Sequence, residues 1–267
     1  MEIQLYSKNK HHILYDAQQI PQISEHWFQP EWWQNKAHIT EPTGGRGQAF
    51  FIQPYPVDAQ PEIAQAPTGG KQPSKPIQKQ QPKTLVLRHY RRGGLIAKLI
   101  QDQYFYTSLT QSRPWQEFEL TKTLFQQGLP VPRPLAAHIE RQGLFYRADL
   151  LTERLPNAKP FAEYLDSNNQ QKNSDQLWQN VGETIARFHQ AGLNHFDLNA
   201  NNILLDHSGQ VWLIDFDRCH FSNSSETQWK EANIQRLQRS ILKLTRQTEL
   251  PKAWSYLYDN YLIQLKK

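Results

Sequence analysis

The run His195-Phe196-Asp197-Leu198-Asn199-Ala200-Asn201-Asn202, followed by Val211-Trp212-Leu213-Ile214-Asp215-Phe216-Asp217, constrains this chain more than any other feature. It sets an acid and a carboxamide five residues apart, then a second acid at the end of an apolar run. Between them, Ile203-Leu204-Leu205 and Val211-Trp212-Leu213-Ile214 are joined by Asp206-His207-Ser208-Gly209, which reads as a β-hairpin with a polar, glycine-containing turn. Such a hairpin brings Asn202 beside Asp215, so a pair thirteen residues apart in sequence can share metal ions. Phosphoryl transfer from ATP needs this arrangement, because its loose transition state asks the protein mainly to position groups, hold Mg²⁺ and orient the nucleophile. Asp197 would accept the proton of the attacking hydroxyl, Asn202 would hold Mg²⁺ through its side-chain oxygen, and Asp215 would chelate the metal bridging the β- and γ-phosphates. The plainer alternative is a capped turn around His195 and Asp197 with Asp215 a chance acid at a strand end, which leaves the position of the second motif unexplained.

The two motifs match H-R-D-x-x-x-x-N and D-F-G, with Phe196 in place of the arginine and Asp217 in place of the glycine. Loss of that arginine removes the usual partner of a phosphorylated activation loop, and no A-P-E follows Asp217. Asn199 stands where many protein kinases acting on serine or threonine carry lysine. These departures point toward a kinase of small molecules.

Upstream, Thr43-Gly44-Gly45-Arg46-Gly47 precedes the apolar run Ala49-Phe50-Phe51-Ile52 and reads as a strand-turn-strand over nucleotide phosphates, with Gly44, Gly45 and Gly47 letting backbone amides approach the anion. A glycine turn of this kind can also be a simple hairpin. Thr84 to Arg88 reads as a strand ending in a cation, in the slot of the lysine that grips the α- and β-phosphates. Guanidinium binds phosphate in a bidentate way, so Arg88 can fill that role, with Arg91 and Arg92 as competitors. Arg113-Pro114 opens a helix that Gly128 stops. Glu117, with Glu119 as the second choice, is the candidate to pair with Arg88. Glu153 to Leu155 is the expected connector between lobes, whose backbone could bond adenine. Ser174 to Gln190 has helical apolar spacing, and its His189 is expected at a packed interface rather than in catalysis.

One cysteine, Cys219, excludes an internal disulfide framework and a cysteine-rich zinc site. Nowhere do about eighteen apolar residues run together, and Met1 to Leu14 lacks the apolar core of a secretion signal. A net charge of +5 and a pI near 9.2 favour polyanionic partners. Nucleic acid is not among those expected, because most tryptophans and tyrosines fit helices or strands and other phosphate-rich ligands account for the charge. The segment from Gln53 to Lys83 is rich in Pro, Gln and Lys and reads as a mobile insertion between adjacent strands.

Together with these motifs, Leu87-Arg88-His89-Tyr90-Arg91-Arg92-Gly93-Gly94-Leu95, Gly128-Leu129-Pro130-Val131-Pro132-Arg133-Pro134 and Asp215-Phe216-Asp217-Arg218 resemble the 3-deoxy-D-manno-octulosonic acid (Kdo) kinases of lipopolysaccharide core synthesis. The likeness spans nearly the whole chain except the Gln53 to Lys83 segment. It implies an α+β, bilobal, protein-kinase-like fold: a small N-terminal antiparallel sheet lobe with one main helix over 1–153, and a larger, mostly helical lobe over 154–267 carrying the catalytic and metal-binding loops. It further implies transfer of the γ-phosphate of ATP to a Kdo hydroxyl, at position 4, on a lipid A precursor. The enzyme would sit peripherally at the cytoplasmic face of the inner membrane, against its anionic surface, and no protein partner is implied. Acceptor contacts would come from Arg88, His89, Arg91, Arg92, Lys98 and Arg218. A heptose or other small-molecule kinase of the same fold, a protein kinase and a lipid-binding pseudokinase remain the alternatives.

Overall fold

The computed structural model describes residues 1–41, 48–55, 83–91, 102–165, 175–223 and 226–267. Its contacts divide into two units, Met1–Tyr106 with Leu135–Arg154, and Thr107–Pro134 with Leu155–Lys267.

The first unit is built on one antiparallel sheet. β1 (Ile3–Lys8) and β2 (His11–Asp16) form a hairpin whose turn uses Asn9 at φ 54, a conformation asparagine tolerates better than most side chains. A short helix α1 (Pro30–Trp33) leads to β3 (Ala37–Thr40), β4 (Gln48–Pro54), β5 (Leu85–His89) and β6 (Tyr104–Phe105), and later in the chain come β7 (Pro134–Gln142) and β8 (Phe145–Glu153). In space the order is β1-β2-β7-β8-β5-β4-β3, with β6 beside β8. β3 and β4 are antiparallel neighbours, as a strand-turn-strand requires, but Gly44, Gly45 and Gly47 lie outside the described residues. β4 and β5 also pair antiparallel, so the Gln53 to Lys83 segment connects adjacent strands as expected; residues 56–82 of it are outside the described residues.

Side-chain alternation along β5 gives the sheet two chemically different faces. Leu85 and Leu87 are buried in a core with Ile13, Tyr15, Phe28, Trp33, Phe50 and Leu151, beneath the covering stretch between β2 and β3. Trp27, Trp32 and Trp33 pack against one another there, and Lys36 lies 3.4 Å from the Trp32 ring centroid. Val86 and Arg88 alternate to the opposite face.

The second unit begins with helix α2 (Arg113–Gln126), which carries Pro114 in its first turn and is followed by Gly128 at φ 72. The sequence reading placed this helix with the N-terminal lobe. Its Leu120 and Leu124 instead enter the core of the second unit, alongside Val131. The remaining elements are β9 (Lys159–Pro160), α3 (Asp175–Gln190), β10 (Leu193–Asn194), β11 (Ile203–Leu205), β12 (Val211–Leu213), β13 (His220–Phe221), α4 (Gln228–Thr245) and α5 (Trp254–Leu265). Strands β12, β11 and β9 form one small sheet, and β10 pairs with β13. Trp178, Phe161, Phe188, Ile185 and Leu237 fill the core between them. No helix among the described residues is long and apolar enough to cross a membrane.

Candidate active site

The β11–β12 hairpin forms in the register that its apolar runs dictate: Ile203 faces Leu213, Leu204 faces Trp212 and Leu205 faces Val211, and Gly209 supplies the positive φ of the turn. One step further, the Ile214 N–H donates to the Asn202 carbonyl at 3.1 Å. Asn202 and Asp215 are thus held at the open end of the same hairpin. Asn202 is only 9 % exposed, and its Nδ2 donates to the Asp197 carbonyl at 2.9 Å, which leaves its Oδ1 as the atom able to meet a cation. Asn199 Nδ2 donates to the same Asp197 carbonyl at 3.0 Å, and Asn199 Oδ1 accepts the Asn201 N–H at 2.9 Å. Asp197 is therefore fixed through its backbone while its carboxylate stays uncommitted to the loop's own framework. Asp215 adopts φ 63, in the left-handed region where a non-glycine residue stores strain and is seldom found without cause.

His195 anchors this loop from below. It is 1 % exposed, and its Nε2–H donates to the Ile214 carbonyl at 3.1 Å. Burial holds it below the ordinary histidine range, against the pull of that hydrogen bond and of Asp215 and Asp197, so it is a neutral strut between the two motifs. Cys219 is also excluded from nucleophilic chemistry, because burial pushes its thiol up to about 12.

Two contacts that the sequence did not disclose tie α2 to the Asp215-Phe216-Asp217 motif. Arg113 meets Asp217 through a paired, charge-assisted contact, with Nε to Oδ1 at 2.7 Å and Nη2 to Oδ2. One turn on, the Glu117 carboxylate, 3 % exposed, accepts the Phe216 N–H at 3.2 Å. Two signals were available: a carboxylate where kinases use glycine, and an arginine in the first turn of a helix, where the helix dipole disfavours a cation unless an acid compensates it. Glu119, the second choice, contacts Lys122 on its own helix.

The other expected site residues are placed as follows. Arg88 donates from Nη2 to the Tyr90 hydroxyl at 3.1 Å, with its guanidinium 4.6 Å from that ring's centroid. Glu153 is the last residue of β8, opposite Leu85, and accepts from Lys83 Nζ at 3.1 Å. The Arg154 N–H is used by the Thr84 carbonyl, so that part of the expected connector completes the sheet. Arg92 and Lys98 lie outside the described residues. His89 is engaged in a network of its own: its Nδ1 lies 2.6 Å from Asp149 Oδ1, and Asp149 Oδ2 also receives His138 Nδ1 at 2.9 Å. The hydrogen bond to Asp149 raises His89 above its ordinary range despite burial. By alternation this charged network lies on the face of β5 opposite Arg88.

A buried histidine bridging a loop to a strand end, an acid and an amide on that loop, and an acid in left-handed geometry after an antiparallel hairpin define a kinase-type phosphotransferase. The model of the lipopolysaccharide kinase (Kdo/WaaP) family matches residues 73–261. The chain belongs to this family, and it is a kinase. A curated 3-deoxy-D-manno-octulosonic acid kinase of Vibrio parahaemolyticus is 37% identical over 241 residues, covering 90% of this chain and 88% of the relative. A protein of the same name from Xylella fastidiosa strain 9a5c is 41% identical over 232 residues, 87% of this chain and 80% of that protein. Among solved structures, WaaP in complex with acyl carrier protein superposes with a TM-score of 0.50 at 14% identity, over 87% of this chain and 80% of that one, which shows a shared fold.

Proposed function

We propose that the chain transfers the γ-phosphoryl group of ATP, with Mg²⁺, to the 4-hydroxyl of Kdo on a lipid A precursor. The observation that carries this reading is the tie of Asn202 to both the Asp197 and the Ile214 backbones, which holds Asp197, Asn202 and Asp215 near the mouth of a single hairpin, where a base and two oxygen ligands would act. Asp197 would take the proton of the acceptor hydroxyl. Asp215 and the Asn202 amide oxygen would hold Mg²⁺, a hard cation that keeps several waters and draws its remaining ligands from phosphate oxygens. No group of three or more His, Cys, Asp or Glu side chains among the described residues converges as a cation cage, and a two-ligand site of this kind suits a metal that arrives with its nucleotide. Arg88 would grip the α- and β-phosphates, and the glycine turn at Gly44, Gly45 and Gly47 would cover them. The relatives named as Kdo kinases supply the acceptor.

A peripheral position at the cytoplasmic face of the inner membrane is part of the same proposal. It is supported by the +5 net charge and by exposed Arg239, Lys243 and Arg246 along α4 and its end, each cation near an anionic lipid surface contributing about 1 kcal/mol. The resemblance implies no protein partner. The complex formed by the WaaP structure makes an acyl carrier protein the partner to try first.

Mass spectrometry of Kdo-lipid A after incubation with the enzyme and Mg·ATP tests the reading, with heptose, aminoglycoside and protein acceptors in parallel. Phosphate on Kdo is the expected product; labelling confined to another acceptor rejects it. Asp197→Ala is expected to fold and bind ATP while turnover falls about 10²- to 10⁴-fold, the usual cost of removing a general base. Unchanged turnover would remove Asp197 from the chemistry.

A further inference from the structure

Phe196 occupies the position at which the catalytic loop of protein kinases carries arginine, and its ring stays outside the buried core. His195 before it and Leu198 two residues on are buried at 1 % and 0 %, whereas Phe196 is 51 % exposed, immediately before the proposed general base. The ring is nonetheless placed. Its backbone N–H donates to Cys219 Sγ at 3.3 Å, the His220 ring lies 6.5 Å away between centroids, and the Arg236 guanidinium lies 5.8 Å from the ring centroid. Arg236 is itself held, donating from Nη1 to Asn233 Oδ1 at 2.9 Å and to the His195 carbonyl at 3.4 Å. Next along β13, Phe221 is 43 % exposed. The second unit therefore presents an aromatic shelf edged by a fixed cation and a histidine, with Asp197 the next residue in the chain.

The shelf matches the chemistry of a 3-deoxy sugar acid. Such a sugar has a methylene at C3, directly beside the carbon bearing the 4-hydroxyl, and a carboxylate further along the ring. A methylene next to the nucleophile is what an aromatic face accommodates, and it is the feature that separates this sugar from fully hydroxylated ones. A carboxylate is what a positioned guanidinium and an imidazole accept. Resting on the acceptor assigned under the proposed function, we propose that Phe196 is the specificity residue for that acceptor. Its ring receives the C3 methylene face, with the carboxylate toward Arg236 and His220, so that the neighbouring 4-hydroxyl meets Asp197.

The test measures initial rates for the full-length chain and for Phe196→Ala, Phe196→Tyr and Phe196→Trp, with Kdo-lipid A and with its 3-hydroxylated counterpart, at varied acceptor and varied ATP. An apolar contact of one methylene discriminates by roughly 10- to 200-fold. Phe196→Ala is accordingly expected to raise KM for Kdo-lipid A about tenfold, to collapse the preference for the 3-deoxy sugar, and to leave KM for ATP in place, with Tyr or Trp restoring the preference. An acceptor KM within twofold of wild type and an intact 3-deoxy preference would overturn the assignment. So would a rise in KM for ATP that matches the rise for acceptor, since that pattern belongs to a residue that merely supports the loop. Failure of the wild-type chain to phosphorylate Kdo-lipid A at all is a separate result, which removes the proposed acceptor and the specificity role with it.

Discussion

His189 shows how one buried residue sets a pH limit on the fold. It lies on α3, 1 % exposed, with Nδ1 2.9 Å from the Tyr261 hydroxyl and its ring edge-on to Trp229. Asn233 Nδ2 approaches Nε2 at 3.5 Å, so the neutral tautomer with the proton on Nδ1 satisfies both partners. Burial drives its pKa down to about 3. A depressed histidine stabilises the fold fully above its unfolded value of about 6.5 and loses that contribution as pH falls toward the folded value. The loss between pH 6.5 and 5 amounts to about 2 kcal/mol at about 1.4 kcal/mol per unit. His89 works in the opposite sense, since its raised pKa contributes stability at low pH that is lost as pH rises through the folded value. Urea unfolding of wild type and His189→Gln from pH 7 to 5 separates the two: wild-type stability should fall on acidification relative to the variant, and parallel curves would show that His189 is not buried neutral. The expectation from sequence, a packed interfacial histidine, agrees with what is observed.

At the scale of elements, the approach of α3 to α5 depends on a single missing methyl group. A Cβ placed on Gly182 would overlap the Leu257 carbonyl oxygen and sit 3.1 Å from the Tyr261 backbone nitrogen, and backbone atoms cannot swing aside as a side chain can. Gly182→Ala should therefore cost about 1–3 kcal/mol or more, although alanine is the better helix former. A melting temperature equal to or above that of wild type would contradict this close packing. The second case is the junction of α2 with the motif holding Asp215. In the proposed function Asp215 holds Mg²⁺, and groups that orient a metal ligand typically matter 10- to 100-fold for affinity or rate. Arg113→Ala is expected to raise the Mg²⁺ concentration needed for half-maximal rate by about that factor, with Arg113→Lys recovering only part because lysine cannot grip a carboxylate with two parallel donors. An unchanged Mg²⁺ dependence would show that Asp215 does not rely on this contact.

For the whole molecule, what could be read from the sequence was whatever is encoded locally. The Asp197, Asn202 and Asp215 spacing, the hairpin between them, α2 between its proline and glycine, and the strand ending near Arg88 all rest on short-range turn chemistry and periodicity. What escaped reading was set by partners distant in the chain. The β1–β2 hairpin earns its place through β7, and the tryptophans between β2 and β3 only make sense once they cover Leu85 and Leu87. His89, met in sequence beside Arg88 in a basic run, turned to the other face and into a network with Asp149, which lies on another strand. The helix expected to face the nucleotide sheet proved to share a core with the second unit for the same reason. That last arrangement bears on how output is controlled. With Arg113 fastened to Asp217 and Glu117 to the Phe216 N–H, the turn that carries Asp215 takes its shape as the second unit folds. Output would then follow enzyme abundance and the availability of acceptor, a form of regulation by supply.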